Sequence, residues 1–397
     1  MVDIKIIKTK SQIKNFFKFA DFLYANCPFY VPTYYKNNKQ LFNHRKNPNL
    51  NSNEIIGFLA YQENRVVGRV LGIINRVERL NQSIVRLYCF DFINDSEVSF
   101  GLMNEIEKWA LYQKITNIVC ELGFNDLDSI GLVYKSDNST YATYQSRYNF
   151  DYYIEHLKNY GFAASKKFSE YALRLKHEFD VDDADISINK QLSQNDLRFV
   201  EGDKKFKIAM YGRKIFDLLY ENSISGYPTV IDDKVYIKYL KTINKMYDAN
   251  DLIILVNESD EVVASMLITN NTSLALQTTN GKVLSSKLMY TIGGDFEKEY
   301  DISWLIFNKK YCNSACTIFS CVLGKMALTG DMGNIYTNIW LNCEQKRLIF
   351  NQIFDMQLIR SRAIYTKNLL NPSKPIIKKS TEDLCAPNNI GRKTSLK

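Results

Sequence analysis

The sequence predicts a layered α/β protein made of two tandem units, each a sheet flanked by helices. Three observations carry this expectation. Asn117-Ile-Val-Cys-Glu-Leu-Gly-Phe-Asn125 is echoed by Asn334-Ile-Tyr-Thr-Asn-Ile-Trp-Leu-Asn342, and Asn64-Arg-Val-Val-Gly-Arg-Val-Leu71 by Asp260-Glu-Val-Val-Ala-Ser-Met-Leu267. Each echo keeps its place in a run of strand pair, strand, helix, strand, helix, as a duplicated unit should. At 397 residues the chain is also too long for one ordinary core.

The first unit is expected over residues 1–175. Met1–Lys8 alternates charged and apolar residues as a strand does, and Ser11–Leu23 has helical spacing with Ser11 as N-cap. Cys27-Pro-Phe-Tyr-Val-Pro-Thr is extended and punctuated by proline. Ile55–Tyr61 and Arg65–Ile74 form a hairpin around Gln62-Glu-Asn, and Ile84–Phe92 is a further strand. In Val98–Tyr112, Leu102, Ile106, Trp109 and Ala110 share one helical face. Asn117–Phe124 reads as a strand, Asp151–Tyr160 as a helix stopped by Gly161, and Lys167–Leu175 as a closing strand.

Residues 176–206 read as a connector, part of which can be the first strand of the second unit. That unit spans 207–370, with helices at Ile208–Tyr220 and Lys234–Met246 and a hairpin of Leu252–Asn257 with Val262–Thr269. An insertion follows, with its own hairpin expected around Asn280-Gly281. Then come strand Asp301–Phe307, helix Thr317–Leu328, strand Asn334–Leu341, helix Glu344–Phe354 and strand Ile359–Thr366. The first unit carries its own extra stretch, Asp126–Tyr148, and insertions confined to connections suit a duplicated fold. The tail, 371–397, is rich in Pro, Lys and Ser and reads as flexible.

Composition narrows the function classes. With 46% apolar and 24% charged residues the chain is of globular type, and no apolar run approaches the ~18–20 residues that span a bilayer. The opening segment is a strand rather than a signal peptide, and the eight cysteines show no CxxC pair, so reduced core thiols of a cytoplasmic protein are expected. No metal-ligand set is visible, and none of the three histidines stands near a Ser or Cys nucleophile in the sequence. The net charge of +8 serves solubility or an anionic partner.

The order of strands and helices, with Tyr153-Ile-Glu-His-Leu-Lys-Asn-Tyr-Gly-Phe162 as a helix ending in Gly-Phe before a last strand, resembles the GNAT acyltransferase superfamily. Cys27–Pro32 with Phe58–Arg69 is similar to bacterial proteins of tandem GNAT type. The resemblance covers nearly the whole chain and implies, for each unit, a central mixed, mostly antiparallel sheet. It also implies acyl-CoA, or an acyl-phosphopantetheine arm, as donor substrate and no metal.

In that superfamily a Q/R-x-x-G-x-G/A loop after the fourth strand holds a pyrophosphate, because small residues let backbone N–H groups and a helix N-terminus approach it. The matching stretch of the second unit runs Lys310-Tyr-Cys-Asn313-Ser-Ala315. Lys310 stands for Gln or Arg, Ala315 for the last small residue, and Asn313 for the first Gly, a replacement that tolerates a left-handed backbone. Lys309 adds charge, while Ser314 and Cys316 stay small. The aligned stretch of the first unit, Ile93-Asn-Asp95-Ser-Glu97-Val, sets two carboxylates where an anion would lie, so the second unit is the better donor site.

The superfamily's Tyr on the last helix, which protonates the departing thiolate, is missing. Leu157 stands there in the first unit, and Asn351 in the second, with Asp355 in place of Gly. Substitutes are Tyr336 and Asn338, alternating with Thr337 on one strand face, Tyr365 on the last strand, and Asp301 and Ser303 opening the fourth. Asp301, or a water it holds, would take the amine proton, and a Tyr would be the acid. Arg360-Ser-Arg362 reads as an acceptor-carboxylate site or a solvated strand face, and Glu121 as a base or a polar edge residue.

The leading expectation is acyl transfer from acyl-CoA or an acidic acyl-carrier protein to a small-molecule or peptide amine. The alternatives are a non-catalytic binding protein that kept the fold, and a tRNA-dependent aminoacyl transferase. The scattered basic charge lacks the concentrated stripe expected of a nucleic-acid binder.

Overall fold

The computed structural model describes residues 1–32, 40–77, 84–137, 143, 146–229, 231–243, 251–282, 299–330, 332–338 and 342–370. In the first half, β1 (Asp3–Ile6) leads to α1 (Lys10–Leu23), then β2 (Asn53–Gln62), β3 (Arg65–Asn75) and β4 (Ile84–Phe92). Next come α2 (Ser96–Tyr112), β5 (Asn117–Cys120), β6 (Leu132–Ser136), α3 (Tyr152–Asn159) and β7 (Ala163–Leu175).

The second half begins with α4 (Val181–Gln194), β8 (Arg198–Phe199), α5 (Lys204–Glu221) and α6 (Asp233–Ile243). It continues through β9 (Leu252–Val256), β10 (Val262–Asn270), α7 (Ser273–Thr278), β11 (Tyr300–Phe307) and α8 (Cys312–Thr329). β12 (Ile335–Tyr336), α9 (Glu344–Ile353) and β13 (Phe354–Asn368) complete it.

All strands join one sheet, in the order β1-β2-β3-β4-β5-β13-β7-β12-β11-β10-β9-β8, with β6 also on β13. Two pairs are parallel, β4 with β5 and β11 with β12, and the rest are antiparallel. β4 and β5 stay in register only to Leu87↔Cys120, and β11 and β12 only to Asp301↔Tyr336. Beyond those points the parallel strands part, leaving one opening in each half. Each is set by a register shift in the upstream strand, between Arg69 and Leu71 against β4 and between Leu267 and Ile268 against β11.

The sheet crosses the halves over. Beside β5 lies β13, the last strand of the chain, and beside β12 lies β7 from the first half. β7 and β13 pair along nearly their full length, from Phe354↔Leu175 to Thr366↔Ala163. Ala363 and Tyr365 therefore pack into the first-half core with Val85, Ile118 and Leu157. Leu127 and Leu173 pack into the second-half core with Trp304 and Phe319.

Several sequence expectations need correction. Thr9, not Ser11, caps α1, with Gln12 completing a capping box, because Thr9 holds the extended conformation that lets its hydroxyl accept from the Gln12 N–H. Asn280-Gly281 is not a hairpin turn but a helix stop. Both residues have positive φ (49° and 77°), and the Gly281 N–H donates to the Leu276 carbonyl at the end of α7. Within the connector, by contrast, β8 pairs with β9 as the first strand of the second unit would, after the helix α4. Strand Asn334–Leu341 is regular only at Ile335–Tyr336, with 339–341 outside the described residues, and Asn117–Phe124 is regular only to Cys120.

Candidate active site

The second opening begins at Asp301 and Tyr336, which are register partners. Asp301 is 4% exposed, and Asn271 Nδ2 lies 3.4 Å from its Oδ1. Burial, reinforced by the nearby Glu299 charge, pushes the Asp301 carboxyl well above the ordinary carboxylate range, with Arg360 only partly opposing. Tyr336 donates its hydroxyl to Glu299 Oε1 at 2.7 Å. The opening thus holds a carboxyl whose burial favours its protonated form, beside a tyrosine–carboxylate pair.

Asn338 is also buried, but not as alternation predicts. Its φ of 46° ends the strand, so it does not simply repeat the facing of Tyr336. Its Oδ1 accepts from Thr143 Oγ1 at 2.5 Å and faces Ser146 Oγ at 3.3 Å. Tyr365 is not brought to this opening. It lies opposite Cys120 and Ala164 in the first-half core, where burial pushes its hydroxyl up to about 12. Ser303 pairs with Thr269 Oγ1 at 2.8 Å.

Arg360 and Arg362 are neither a solvated face nor open to a ligand carboxylate. Both are buried and directed at Glu170 of β7, with Arg360 Nε 2.6 Å from Oε2 and Arg362 Nε on Oε1. Burial would raise the Glu170 carboxyl, but the two guanidiniums outweigh it and hold the group at about 2.

Helix α8 starts at Cys312, five residues before the position expected from sequence. Asn313, Ser314, Ala315 and Cys316 therefore lie inside its first turns, and Asn313 needs no left-handed backbone. Tyr311 offers no side-chain cap, because the 3-10 turn Lys309–Tyr311 runs straight into α8 and takes its cap from Asn308. Lys309 and Lys310 occupy an exposed 3-10 turn just before it, and Asn313 is exposed beside them. Ala315 and Cys316 are fully buried. The result is a helix start at the end of β11 that is flanked by positive charge and capped by the neutral Asn308, whose Oδ1 accepts from the Lys310 N–H at 3.1 Å, and its field favours an anion.

The first half is built the opposite way. Asp95 caps α2 through the Glu97 N–H at 2.8 Å and also accepts from Gln62 at 2.9 Å. The strand register sets Arg86↔Val119 in the place of Asp301↔Tyr336, so Asp95 corresponds to Lys310 rather than Ile93 doing so. Side chains also fill the opening itself. Arg147 bonds Glu121 at 2.6 Å and Asp91 at 2.9 Å, and Glu121 accepts from the Cys89 N–H. Tyr153 takes the Phe92 N–H, and Tyr152 donates to the Phe92 carbonyl at 2.6 Å, so the end of β4 is already satisfied. Asp91 further binds Arg69 and Tyr24.

Sequence reasoning missed Glu170, Thr143, Ser146 and Arg147 because they reach the openings only through the strand crossover and the first-half insertion. It also set the histidines apart from any serine. The structure places His156 Nδ1 2.7 Å from Ser99 Oγ and its Nε2 2.9 Å from Asn94 Oδ1. Ser99 is fully buried within α2, so the relay ties α3 to α2 and presents no nucleophile. Among the described residues no helix is long and apolar enough to cross a membrane, and no group of three or more His, Cys, Asp and Glu is placed to hold a metal.

No family model and no curated protein matches the chain. Solved structures do. A GCN5-related glucosamine N-acetyltransferase region of a fungal multi-domain GH3 β-N-acetylglucosaminidase aligns with TM-score 0.51 and 10% identity, over 92% of this chain and 38% of that one. A tandem GNAT protein from the clavulanic acid biosynthesis pathway aligns with TM-score 0.49 and 8% identity, over 93% of this chain and 99% of that one. A probable N-acyltransferase from Enterococcus faecalis V583 aligns with TM-score 0.48 and 11% identity, over 94% and 74%. At such identities the likeness is one of fold: the chain is α/β with a large mixed sheet, folded like the GCN5-related N-acetyltransferase region.

Proposed function

We propose that the second half binds an acyl thioester, as acyl-CoA or on an acyl-phosphopantetheine carrier, and passes the acyl group to an amine. The observation that carries this reading is the asymmetry of the openings. At the first, Arg147, Tyr152 and Tyr153 bond across the strand ends and the carboxylate of Asp95 caps the helix, while the turn leading into α8 is capped by the neutral Asn308 and carries Lys309 and Lys310.

The donor's phosphates would sit against the first turn of α8, near Asn313, Ser314 and the two lysines. The thioester would extend between β11 and β12 toward Asp301. Attack of the amine on the carbonyl breaks the C–S bond and forms the amide. The amine proton goes to the Glu299 carboxylate through the Tyr336 hydroxyl, and Asp301, whose protonated form burial favours, gives its proton to the departing sulfur. Alignment of amine and thioester supplies much of the acceleration. The net charge of +8 also suits an acidic carrier protein as donor and an acceptor that is a small molecule or a peptide.

The test is thermal and catalytic. Acetyl-CoA and longer acyl-CoAs should raise the melting temperature, and transfer to a panel of amines should follow. Transfer only from a loaded carrier would select the carrier route, and binding without transfer would select a non-catalytic binder. Neither binding nor transfer would sink the reading, and salt-sensitive retention of RNA would point to a tRNA-linked role.

A further inference from the structure

The polar row beside the second opening has an orientation built into it. Thr269, Asn271, Asp301 and Ser303 are all buried, and they occupy alternate positions along the facing ends of β10 and β11. Thr269 is the register partner of Asp301, and its hydroxyl pairs with Ser303 Oγ at 2.8 Å. Asn271, one residue past the end of β10, is held at two points. Its backbone N–H donates to the Glu299 carbonyl at 2.8 Å, and its side-chain Oδ1 accepts from the Ser273 N–H at 2.8 Å, where α7 begins. Such a turn is what an Asn side chain forms with the backbone two residues on. A backbone N–H can only donate, so the amide end facing Ser273 is the oxygen and the other end is the NH2 group. This NH2 end lies 3.4 Å from Asp301 Oδ1.

We propose that Asn271 is a positioning residue for Asp301, presenting a fixed donor to Oδ1 so that the transferable proton of the carboxyl resides on Oδ2. A proton on Oδ1 would set O–H against N–H, donor against donor, whereas a carbonyl oxygen accepts from the amide. The contact is long for a hydrogen bond in the free chain, and catalytic contacts of this kind tighten when substrate fills the site. Burial is the largest influence on the Asp301 carboxyl. Glu299, just before β11, raises it further, Arg360 of β13 lowers it, and Glu170 of β7 raises it. Tyr336, its register partner on β12, turns its hydroxyl to Glu299 Oε1 at 2.7 Å. Asn271 adds a neutral donor, which favours the carboxylate without adding charge. It therefore sets both which oxygen carries the proton and how readily that proton leaves. A general acid needs its proton aimed at the departing group before the bond breaks.

This inference rests on the acyl-transfer reading for its effect on rate, but not for the state of Asp301, and the experiment reads the two separately. Full-length chains carry Asn271→Ser, whose hydroxyl can still accept from the Ser273 N–H but which lacks the NH2 end, or Asn271→Asp, which keeps the turn and replaces the donating end with an oxygen. In 13C-aspartate-labelled protein without any ligand, the Asp301 carboxyl signal, assigned by its loss in Asp301→Asn, is titrated with pH. Losing the donor should move its midpoint upward by about half a unit or more in Asn271→Ser, and further in Asn271→Asp, where two carboxyls share one site. An unmoved midpoint in both variants overturns the proposal whether or not the chain transfers acyl groups. In the transfer assay, Asn271→Ser should lose about tenfold in kcat with donor KM held within about twofold, and the limb of the pH–rate profile where Asp301 ionises should move upward with the titration midpoint. A moved midpoint with an unmoved limb would overturn it too, since Asn271 would then tune a carboxyl that the reaction does not use. Absence of transfer in the parent sinks the acyl-transfer reading and leaves the orientation of Asn271 to be decided by the titration.

Discussion

A carboxylate placed at Asn313 should abolish donor binding without weakening the fold. Asn313 is exposed in the first turn of α8, beside Lys309 and Lys310, and the turn leading into that helix is capped by the neutral Asn308. An acidic residue there favours the helix by roughly 0.3–1 kcal/mol, since it opposes the positive end of the dipole. Against a bound diphosphate it does the reverse. At about 5 Å and an effective dielectric near 20, each opposing unit charge costs about 3 kcal/mol, roughly a hundredfold in affinity. In the parent, donor at about 100 times its Kd stabilises by about 2.7 kcal/mol. With an unfolding entropy of about 2.1 cal/mol/K per residue, that is roughly 3 °C for 397 residues. Asn313→Glu should therefore melt at the parent's temperature or about 1 °C above it, and show no shift with acyl-CoA. The control is Asn189→Glu, exposed on α4, which should keep the shift. A full shift in Asn313→Glu would refute the placement of phosphates at α8. Ala315→Asp is no substitute, because Ala315 is fully buried and an ion there disrupts the core.

Other outcomes follow from buried charge. Titration calorimetry should give one donor per chain, and Arg147→Ala should not add a second but cost about 3–5 kcal/mol in denaturant unfolding, since it leaves the buried Glu121 without its cation while Asp91 keeps Arg69. Asp301 has a folded-state carboxyl pKa raised by burial, so it erodes stability as pH rises from the ordinary carboxylate range; Asp301→Asn should raise the melting temperature more at pH 8 than at pH 5 while lowering transfer. Burial lowers the His156 pKa, so its contribution is present above the ordinary histidine value and lost as pH falls; His156→Gln should flatten the stability profile between pH 8 and pH 5.5. Fragments 1–175 and 176–397 should not fold separately, because β13 lies between β5 and β7, and mixing them should restore the near-ultraviolet dichroism of the intact chain.

Much of the element list was readable from sequence. Ile84–Phe92 matches its strand end to end, and the hairpin around Gln62-Glu-Asn appears as β2 and β3. The failures share a cause. Alternation in Lys167–Leu175 and Ile359–Thr366 marks strands but names no partner, so the crossover of β7 and β13 was invisible. Ala315 and Cys316 were read as loop residues because they are small, whereas they are small to pack the start of α8.

What the sequence by itself determined is the repeated order of elements and the opposite charge of the two helix starts, Asp95 and Glu97 against Lys309 and Lys310. Both are local properties: periodicity sets the elements, and residues adjacent in the chain set the field at a helix end. The tertiary structure alone decided that Arg147 bridges Glu121 and Asp91 at the first opening, which strands border each opening, and that Thr143 meets Asn338 of the other half. Those relations depend on contacts between residues from 24 to 195 positions apart, on burial, which favours the protonated form of Asp301, and on Arg362 and Arg360, which hold Glu170 as an anion. Neither dielectric nor distance is written in a linear chain.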